Sequence, residues 1–218
     1  MSTFDSLVST GTDSITNLAA LIKLAIAEDI GTGDITSNAL IDPKAHAIAR
    51  ITAKQSLVLA GMDAAKKVFE AIAGEALNWD PKRRDGDRCE VGDVIAIVQG
   101  KAIDLLKSER IVLNFLQHLS GVATLTRKFV DTIRDTNTKI LDTRKTTPGW
   151  RALEKYAIKA GGGTNHRIGL YDHFLIKNNH LSVTGSVSAT LKIAIKARKP
   201  GQLIEVETHL LEDVTAAA

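Results

Sequence analysis

The sequence predicts an α/β protein in two parts, and three observations support this fold class. The chain is 44% hydrophobic but only 4% aromatic, so its core must consist mainly of the aliphatic residues that pack helices on strands. The first half alternates short apolar runs with turn signals. After residue 136 the pattern becomes strand, loop and helix, three times in succession, which is typical of parallel βα units.

The first part begins with a polar segment, residues 1–14, which we expect to be a loose tail. An amphipathic helix is predicted over Ile15–Ala27, where apolar residues recur at the helical period. Beyond the loop EDIGTGDITS, the pattern predicts two strands and a helix, over Ala47–Ala53, in SLVLAG and over Asp63–Ala73. Residues 75–100 carry the turn signals DGD and VGD, which predict a small antiparallel sheet.

A long helix is predicted over Ala102–Leu119, because apolar residues surround most of its circumference. Arg110, Asn114 and His118 step at i, i+4 and i+8, so they form one polar stripe on this helix. The stripe could face either a solvent-filled groove or another subunit.

Gly121 is expected to end the long helix, and a separate helix is predicted over Val122–Asp135. The predicted division therefore gives an N-terminal domain over residues 1–119 and a second domain over residues 120–218.

The second domain contains three predicted strands, in TKILD, HFLIKNNH and LIEVET. Helices are predicted after them, over Arg151–Ala160, over Ser186–Lys196 and in LLEDVTAAA. The carboxyl ends of parallel strands meet at one edge of a sheet, where functional loops lie. That edge should carry six ionisable residues: Arg144, Lys145, Lys177, His180, Glu205 and Glu207.

Positive charge is concentrated in one segment. The net charge is +3, but seven Lys/Arg face only two acids between Arg144 and His180, which leaves −2 for the rest of the chain. A total of +3 is too weak to indicate nucleic acid. Crowded cations repel each other unless a ligand with several negative charges binds them, so an anion pocket is one interpretation. The alternative is that the cations point into water.

The segment GGGTNHR places three glycines directly before His166 and Arg167. The glycines could stop a helix or let the backbone approach a ligand closely. His166 and Arg167 could supply a proton donor and a guanidinium fork for a planar carboxylate. His166, His173 and His180 are spaced by seven, but we reject a metal site because a predicted strand interrupts any helix through them; His173 is expected to be structural or exposed.

Glu205 and Glu207 lie two residues apart and therefore share one face of the predicted strand. They could pair with the lysines, or one of them could bind a sugar hydroxyl or lie near magnesium.

Other classes of protein are disfavoured by the sequence. The single cysteine, Cys89, excludes an internal disulfide framework and a cysteine-based zinc site, and it suits the cytoplasm. The most signal-like segment, Ile15–Ala27, is interrupted by Lys23 and lacks a basic segment before it. No stretch approaches membrane-spanning length. We therefore expect neither a membrane nor a nucleic-acid partner.

Four stretches carry a family resemblance: EDIGTGDITS, SERIVLNFLQHLSGVAT, DTRKTTPGWRALEKYAIKAGGGTNHRIGLYDHFLIKNNH and IEVET. They are similar to quinolinate phosphoribosyltransferase, also called nicotinate-nucleotide pyrophosphorylase (carboxylating). The resemblance implies an N-terminal α/β sandwich domain and an open six-stranded α/β barrel, assembled as a homodimer or larger homo-oligomer. It also implies transfer of phosphoribose from phosphoribosyl pyrophosphate to quinolinate, with Mg²⁺ and no organic cofactor. The products would be nicotinate mononucleotide, pyrophosphate and carbon dioxide, in NAD biosynthesis.

The resemblance also assigns roles to individual residues. Arg144 and Arg167 match arginines that grip the quinolinate carboxylates, and His166 lines the same pocket. Lys145 and Lys177 match lysines that face the substrates, and Thr146 lies on the loop of Lys145. Arg110 matches an arginine supplied by the adjacent subunit. Glu207 matches the acid near the ribose, with Glu205 as its structural neighbour. The expected catalytic residues are thus Lys145, Lys177 and Glu207, and no metal ligand is assigned.

The family pattern is incomplete in this sequence. Three βα units cannot close a six-stranded barrel, and the family's LDN-type strand and glycine-containing phosphate loops do not occur. We expect a fragment of a longer protein, because the third parallel strand would otherwise be a bare edge. The alternatives are a truncated, non-catalytic dicarboxylate-binding protein, and a related phosphoribosyltransferase-like protein associated with molybdate transport.

Overall fold

The computed structural model describes residues 13–218, so residues 1–12 of the predicted polar tail lie outside the described part of the chain. Two compact units are present. The first extends to Asn165, and the second is His166–Ala218. Both combine helices and strands, as the α/β class predicts.

Most helices and strands of the first unit follow the predicted order, but the helix Ile35–Leu40 was not predicted and begins inside the loop EDIGTGDITS. Its helices are α1 (Asp13–Asp29), α2 (Ile35–Leu40), α3 (Met62–Ala73), α4 (Ala102–Thr132) and α5 (Arg151–Ala160), with a short 3-10 helix at Gly74–Ala76. Its strands are β1 (His46–Thr52), β2 (Leu57–Val58), β3 (Asn78–Pro81), β4 (Arg88–Cys89) and β5 (Val94–Lys101).

Antiparallel pairing organises the strands of the first unit. β5 lies between β1 and β3 in one sheet, which confirms the antiparallel sheet predicted from residues 75–100. β4 pairs with β2 in a separate two-stranded sheet. The two sheets are therefore built from segments on both sides of α3.

The prediction that Gly121 ends a helix is wrong, because α4 runs without interruption for 31 residues. Leu119 and Ala123 are both fully buried, so the packed face continues on either side of the glycine. That packing offsets the cost of about 1 kcal/mol for glycine inside a helix. The predicted domain division after Leu119 falls inside α4 and stays a prediction.

Helix α4 forms the centre of the first unit's core. Phe115, Ile111 and Leu119 are among the largest completely buried side chains. Two hydroxyls of α4 also satisfy backbone groups of the neighbouring strand segment: Ser120 Oγ accepts a hydrogen bond from Ala60 N at 3.1 Å, and Thr124 Oγ1 accepts one from Val58 N at 2.9 Å. The helix therefore fixes the segment of β2 through both apolar and polar contacts.

The strand predicted at TKILD is reduced to one parallel bridge, between Leu141 and Thr164. Thr164 N donates to Ile140 O at 2.8 Å, and Asp142 N donates to Thr164 O at 3.1 Å. The pairing does not extend toward the glycines that precede Thr164 because the N–H groups of Gly161, Gly162 and Gly163 donate to carbonyl oxygens of the helix before them.

The second unit contains β6 (Phe174–Ile176), α6 (Asn178–Thr184), α7 (Val187–Ala197), β7 (Ile204–Val206) and α8 (Leu211–Ala217). β6 and β7 pair in parallel, with Ile176 opposite Val206, which confirms the predicted parallel arrangement of these two strands.

Helix α6 was not predicted, and it corrects the position expected for His180. That residue lies in α6 and not at the end of a strand. Its Nδ1 accepts a hydrogen bond from the backbone N–H of Lys177 at 2.8 Å. The imidazole thus caps the first turn of α6, which is why the chain becomes helical directly after β6.

Candidate active site

The sequence DTRKTTPG forms a loop of the first unit between the Leu141 bridge and α5. Arg144 is half-buried, and its Nε is buried without a hydrogen-bond partner among the described residues. Lys145 is exposed, and Thr146 is half-buried. The loop therefore carries one guanidinium N–H that is shielded from water and not satisfied, which is costly unless a ligand accepts it.

Three residues of α5 contact this loop. Arg151 donates from Nε to Thr146 Oγ1 at 3.1 Å and from Nη2 to the carbonyl oxygen of Arg144 at 3.4 Å. Glu154 Oε2 accepts a hydrogen bond from Thr147 N at 3.2 Å. The third residue, Lys155, forms a buried ion pair with Asp142. The loop is thus attached to α5 along most of its length.

Glu154 also connects α5 with α4, since its Oε1 lies 2.9 Å from Nε2 of His118. Burial by itself would raise the pKa of Glu154, but hydrogen bonds from Thr147 and His118 outweigh burial and leave the pKa below its usual value of 4.5. The His118 ring also meets Trp150 edge-on, with centroids 5.0 Å apart. Glu154 is therefore held as a carboxylate at neutral pH.

The polar stripe predicted on α4 is confirmed. Arg110, Asn114 and His118 are all exposed on one face of the helix. His118 contacts Glu154, whereas Arg110 projects from α4 without a hydrogen bond or ion pair among the described residues.

The glycine run has a steric explanation inside the first unit. A Cβ on Gly161 would lie 2.5 Å from the carbonyl oxygen of Ala123, and one on Gly163 would lie 2.7 Å from a methyl group of Ile158. Gly162 has a φ of +92°, which favours glycine. Close packing and backbone conformation thus account for all three glycines, and close approach to a ligand is not needed to explain them.

In the second unit, His166 and Arg167 occupy different environments. His166 Nε2 lies 2.6 Å from Glu205 Oε2 on β7. Arg167 is buried and donates from Nη1 to the carbonyl oxygen of His173 at 3.3 Å, while its Nε has no hydrogen-bond partner among the described residues. Glu205 was expected as a structural neighbour of Glu207 or as a partner of the lysines, and in the structure it contacts His166.

Lys177 and Glu207 follow the carboxyl ends of β6 and β7. Glu207 N donates to the carbonyl oxygen of Ile176 at 2.9 Å, which continues the parallel pairing by one step. Because paired strands lie about 4.8 Å apart, the backbones of Lys177 and Glu207 are neighbours. Both side chains are exposed at this edge.

Several supporting residues were missed in the sequence. Asp172 accepts hydrogen bonds from Ile168 N at 2.6 Å and Gly169 N at 3.1 Å; burial raises the pKa of Asp172, but these bonds outweigh it and lower the pKa. The structural role expected for His173 is confirmed, since its Nδ1 accepts a hydrogen bond from Leu203 N at 3.1 Å. The contacts of Asp172 are local, to residues three and four positions earlier, whereas His173 and Leu203 are 30 residues apart.

A cavity of about 510 Å³ in the first unit contains none of the predicted site residues. It is lined in part by Asp85 and Tyr156, whose hydroxyl donates to Asp85 Oδ2 at 2.6 Å. Asp85 Oδ1 accepts a hydrogen bond from Met62 N at the start of α3. Burial raises the pKa of Asp85 and that of Tyr156. The pair joins a turn, α3 and α5, which is a structural role.

Across residues 13–218, no three His, Cys, Asp or Glu side chains come together as a potential metal site. Over the same residues, no helix is long and apolar enough to cross a membrane.

Family models match both parts of the chain. The N-terminal domain model of quinolinate phosphoribosyl transferase matches residues 34–120, and the C-terminal domain model matches residues 122–218. The chain belongs to this family. The two models meet at Gly121, inside α4, so the first compact unit also contains the opening segment of the C-terminal domain model.

Relatives in other organisms carry names of the same family. A probable nicotinate-nucleotide pyrophosphorylase (carboxylating) of Bacillus subtilis is 44% identical over 200 residues, which cover 92% of this chain and 68% of the relative. The nicotinate-nucleotide pyrophosphorylase (carboxylating) of Mycobacterium leprae is 41% identical, covering 89% and 69%. The chloroplastic Arabidopsis thaliana relative is 41% identical, covering 91% and 57%.

Solved structures share the fold. NadC from Streptococcus pyogenes superposes with a TM-score of 0.88 at 37% identity, covering 93% of this chain and 72% of that one. The nicotinate-nucleotide pyrophosphorylase of Francisella tularensis gives a TM-score of 0.84 at 36% identity, covering 93% and 70%. The expected fold class, an N-terminal α/β domain with a C-terminal α/β barrel-like domain, is thereby confirmed.

Proposed function

We propose that this protein transfers phosphoribose from phosphoribosyl pyrophosphate to quinolinate, with decarboxylation to nicotinate mononucleotide. One observation carries the proposal beyond family membership. The two arginines assigned to quinolinate, Arg144 and Arg167, each have a buried Nε–H that no described residue accepts. Arg127 Nε shares this property, but it has no counterpart among the assigned residues.

Quinolinate is a planar dicarboxylate, so it suits guanidinium groups that lack acceptors. A charge-assisted hydrogen bond contributes about 1.5–3 kcal/mol, and leaving a buried donor unsatisfied costs about 1–3 kcal/mol. A carboxylate that binds Arg144 or Arg167 would therefore gain the bond and remove the penalty. His166, held by Glu205, would add a polar contact beside Arg167.

The pair at the strand ends suits the transfer step. As pyrophosphate leaves, the anomeric carbon becomes positive, and Glu207 would stabilise that charge. Lys177 beside it, with Lys145 on the DTRKTTPG loop, would offset the negative charge of the departing pyrophosphate. The ring nitrogen of quinolinate attacks the anomeric carbon as the bond to pyrophosphate breaks. The bond between the adjacent ring carbon and its carboxylate then breaks, and carbon dioxide leaves. The electron pair stays on that carbon beside the cationic nitrogen, and the carbon takes up a proton from water. This chemistry needs no organic cofactor.

Magnesium belongs to the proposal as the partner of phosphoribosyl pyrophosphate. Mg²⁺ requires several oxygen ligands, and across the described residues no three His, Cys, Asp or Glu side chains come together as a potential metal site. The substrate's own phosphate oxygens would supply most of the oxygen ligands, so no step is assigned to a protein-held metal.

We assign Arg110 to a second subunit's site in a homodimer or larger homo-oligomer. Its exposure on the polar stripe of α4 supports this role, since a lone exposed cation on that face can reach another molecule. The cytoplasm, expected from the single cysteine, is also part of the proposal, although some plant relatives are named mitochondrial or chloroplastic.

To test the proposal, purified protein is incubated with quinolinate, phosphoribosyl pyrophosphate and Mg²⁺. Nicotinate mononucleotide and carbon dioxide should form together, and their absence would overturn the proposal. Quinolinate binding without turnover would favour the dicarboxylate-binding alternative. Arg144→Ala should weaken quinolinate binding about tenfold or more by calorimetry, the loss of one charged contact. Arg84→Ala, which removes an exposed arginine of the first unit, is the matched control.

A further inference from the structure

The loop Asp142–Thr147, called here the 142–147 loop, has little backbone support of its own. Asp142 N donates to Thr164 O, and Trp150 N donates to Thr147 O, at the two ends. Inside the loop, the backbone N–H of Lys145 donates to the Thr143 hydroxyl at 3.1 Å. A loop with so few regular hydrogen bonds takes its conformation from the side chains packed against it.

Helix α5 supplies those side chains from one face. Arg151, Glu154 and Lys155 stand at i, i+3 and i+4, which places them next to each other on the helix. Together they contact Asp142, Arg144, Thr146 and Thr147. A ten-residue helix is more rigid than the loop, so the loop conforms to the helix.

Arg151 makes the central contacts. Its Nε and Nη2 donate in two directions, to the hydroxyl of Thr146 and to the backbone carbonyl of Arg144. A guanidinium holds its donors in a fixed plane, whereas a lysine ammonium is a single point on a flexible stem. Arg151 therefore sets the orientation of the peptide unit between Arg144 and Lys145, from which both cations project.

Glu154 and Lys155 hold the two ends of the loop. Glu154 accepts from Thr147 N and is itself fixed by His118. Lys155 pairs with Asp142 in a nearly water-free environment. With its amide nitrogen turned toward them, Asn165 donates to Asp142 Oδ2 at 2.8 Å and to the carbonyl oxygen of Lys155 at 2.9 Å. Buried ion pairs are weak sources of stability, but they restrict geometry.

We propose that Arg151, Glu154 and Lys155 are positioning residues of the reaction, with Arg151 fixing the direction in which Arg144 and Lys145 face the substrates. They act through the loop and do not touch substrate. The inference rests on the proposed function, because Arg144 and Lys145 must be substrate-binding residues for their direction to matter. A displacement of about 1 Å is enough to lower catalysis strongly.

The test compares Arg151→Ala and Arg151→Lys with Lys159→Ala, an exposed lysine on the same helix. Both Arg151 variants should raise the KM for quinolinate about tenfold, a size typical of lost positioning contacts, while the Tm stays within a few degrees of wild type. Amides of residues 143–147 should exchange with deuterium faster. Lys159→Ala should resemble wild type in all three measurements.

Unchanged KM for quinolinate, or full rescue by Arg151→Lys, would overturn the inference. A raised KM with unchanged amide exchange would also overturn it, because the effect would not pass through the loop. If both Arg151 variants fail to fold, the same three measurements on Glu154→Gln, which changes the contact with Thr147 at the other end of the loop, test the inference by the same criteria. If wild type neither binds nor converts quinolinate, the proposed function fails, while the exchange measurement still tests whether α5 holds the loop.

Discussion

Lys155 Nζ lies 2.5 Å from Asp142 Oδ1, and the two side chains are 3% and 0% exposed. A lysine and an aspartate so completely removed from water must stabilise each other, since either charge alone would be strongly disfavoured there. The pair joins α5 to the first residue of DTRKTTPG.

Removing only one partner should therefore be more harmful than removing both. Lys155→Met removes the counter-charge of the buried Asp142 carboxylate and should lower the free energy of unfolding by about 3–5 kcal/mol. Adding Asp142→Leu to the same chain should recover most of that loss. Urea denaturation of the wild type, the single variant and the double variant measures both steps. Equal stability of the single and double variants would contradict the expected coupling.

Gly161→Ala should destabilise the first unit by about 1–3 kcal/mol, the cost of overpacking a tight contact. The new Cβ would stand 2.5 Å from the carbonyl oxygen of Ala123 and 2.7 Å from Cβ of Thr126. Both neighbours belong to α4, which is too well packed to move easily. Thermal unfolding monitored by circular dichroism checks the result, and a Tm equal to that of wild type would show that the contact can relax.

Gly121→Ala should have the opposite effect and increase the stability of the first unit. No atom lies within 4 Å of a Cβ at this position, and the glycine is inside α4. Alanine should therefore add about 1 kcal/mol of stability through helix propensity. The same thermal experiment makes this substitution a matched control for Gly161→Ala. A loss of stability would argue against a continuous helix through residue 121.

Glu154→Gln should change how stability depends on acidity. The pKa of Glu154 is lower in the folded protein than its usual value of 4.5, so the unfolded chain binds the proton more tightly. The carboxylate therefore stabilises the fold at pH values above 4.5. This stabilisation is lost as the pH falls through the folded-state pKa. Wild type should thus lose its advantage over Glu154→Gln below about pH 4.5. Denaturation at several pH values checks this, and parallel curves would disprove it.

Glu205→Ala should weaken quinolinate binding, because His166 loses the carboxylate that lies 2.6 Å from its Nε2. A several-fold loss of affinity is expected, the equivalent of about 1 kcal/mol for one orienting contact. Glu205→Gln keeps an oxygen acceptor and should retain more affinity. Glu212→Ala, an exposed acid on α8, is the control. Calorimetry that gives equal affinity for all three variants would remove Glu205 from the site.

Much of the architecture could be predicted because it depends on local pattern. The apolar period of α1, the strand signals of β1 and β5, and the helix over Arg151–Ala160 all appeared in the structure near their expected bounds. The parallel pairing of β6 with β7 followed from strand spacing. The sequence alone therefore places Lys177 and Glu207 at the same edge of the parallel sheet, at the carboxyl ends of its strands.

The two errors concern single residues whose packing or hydrogen bonding in the folded chain overrides their usual preference. Gly121 is a poor helix former, yet buried neighbours on both sides keep α4 intact. His180 ended an apparently extended run, but its imidazole caps α6. The residues involved lie within three positions of each other in the sequence, but the burial of Leu119 and Ala123 and the orientation of the His180 ring toward Lys177 N are properties of the folded chain.

The sequence by itself determined the family, the α/β class and the types of side chain that meet the substrates, because residue chemistry and periodicity are properties of the chain alone. Only the tertiary structure decided why three glycines precede Thr164 and which residues hold Arg144 in place. Close backbone packing selects the glycines, and hydrogen bonds from Arg151 across seven residues fix the loop. Both depend on distances between elements, which no local pattern contains.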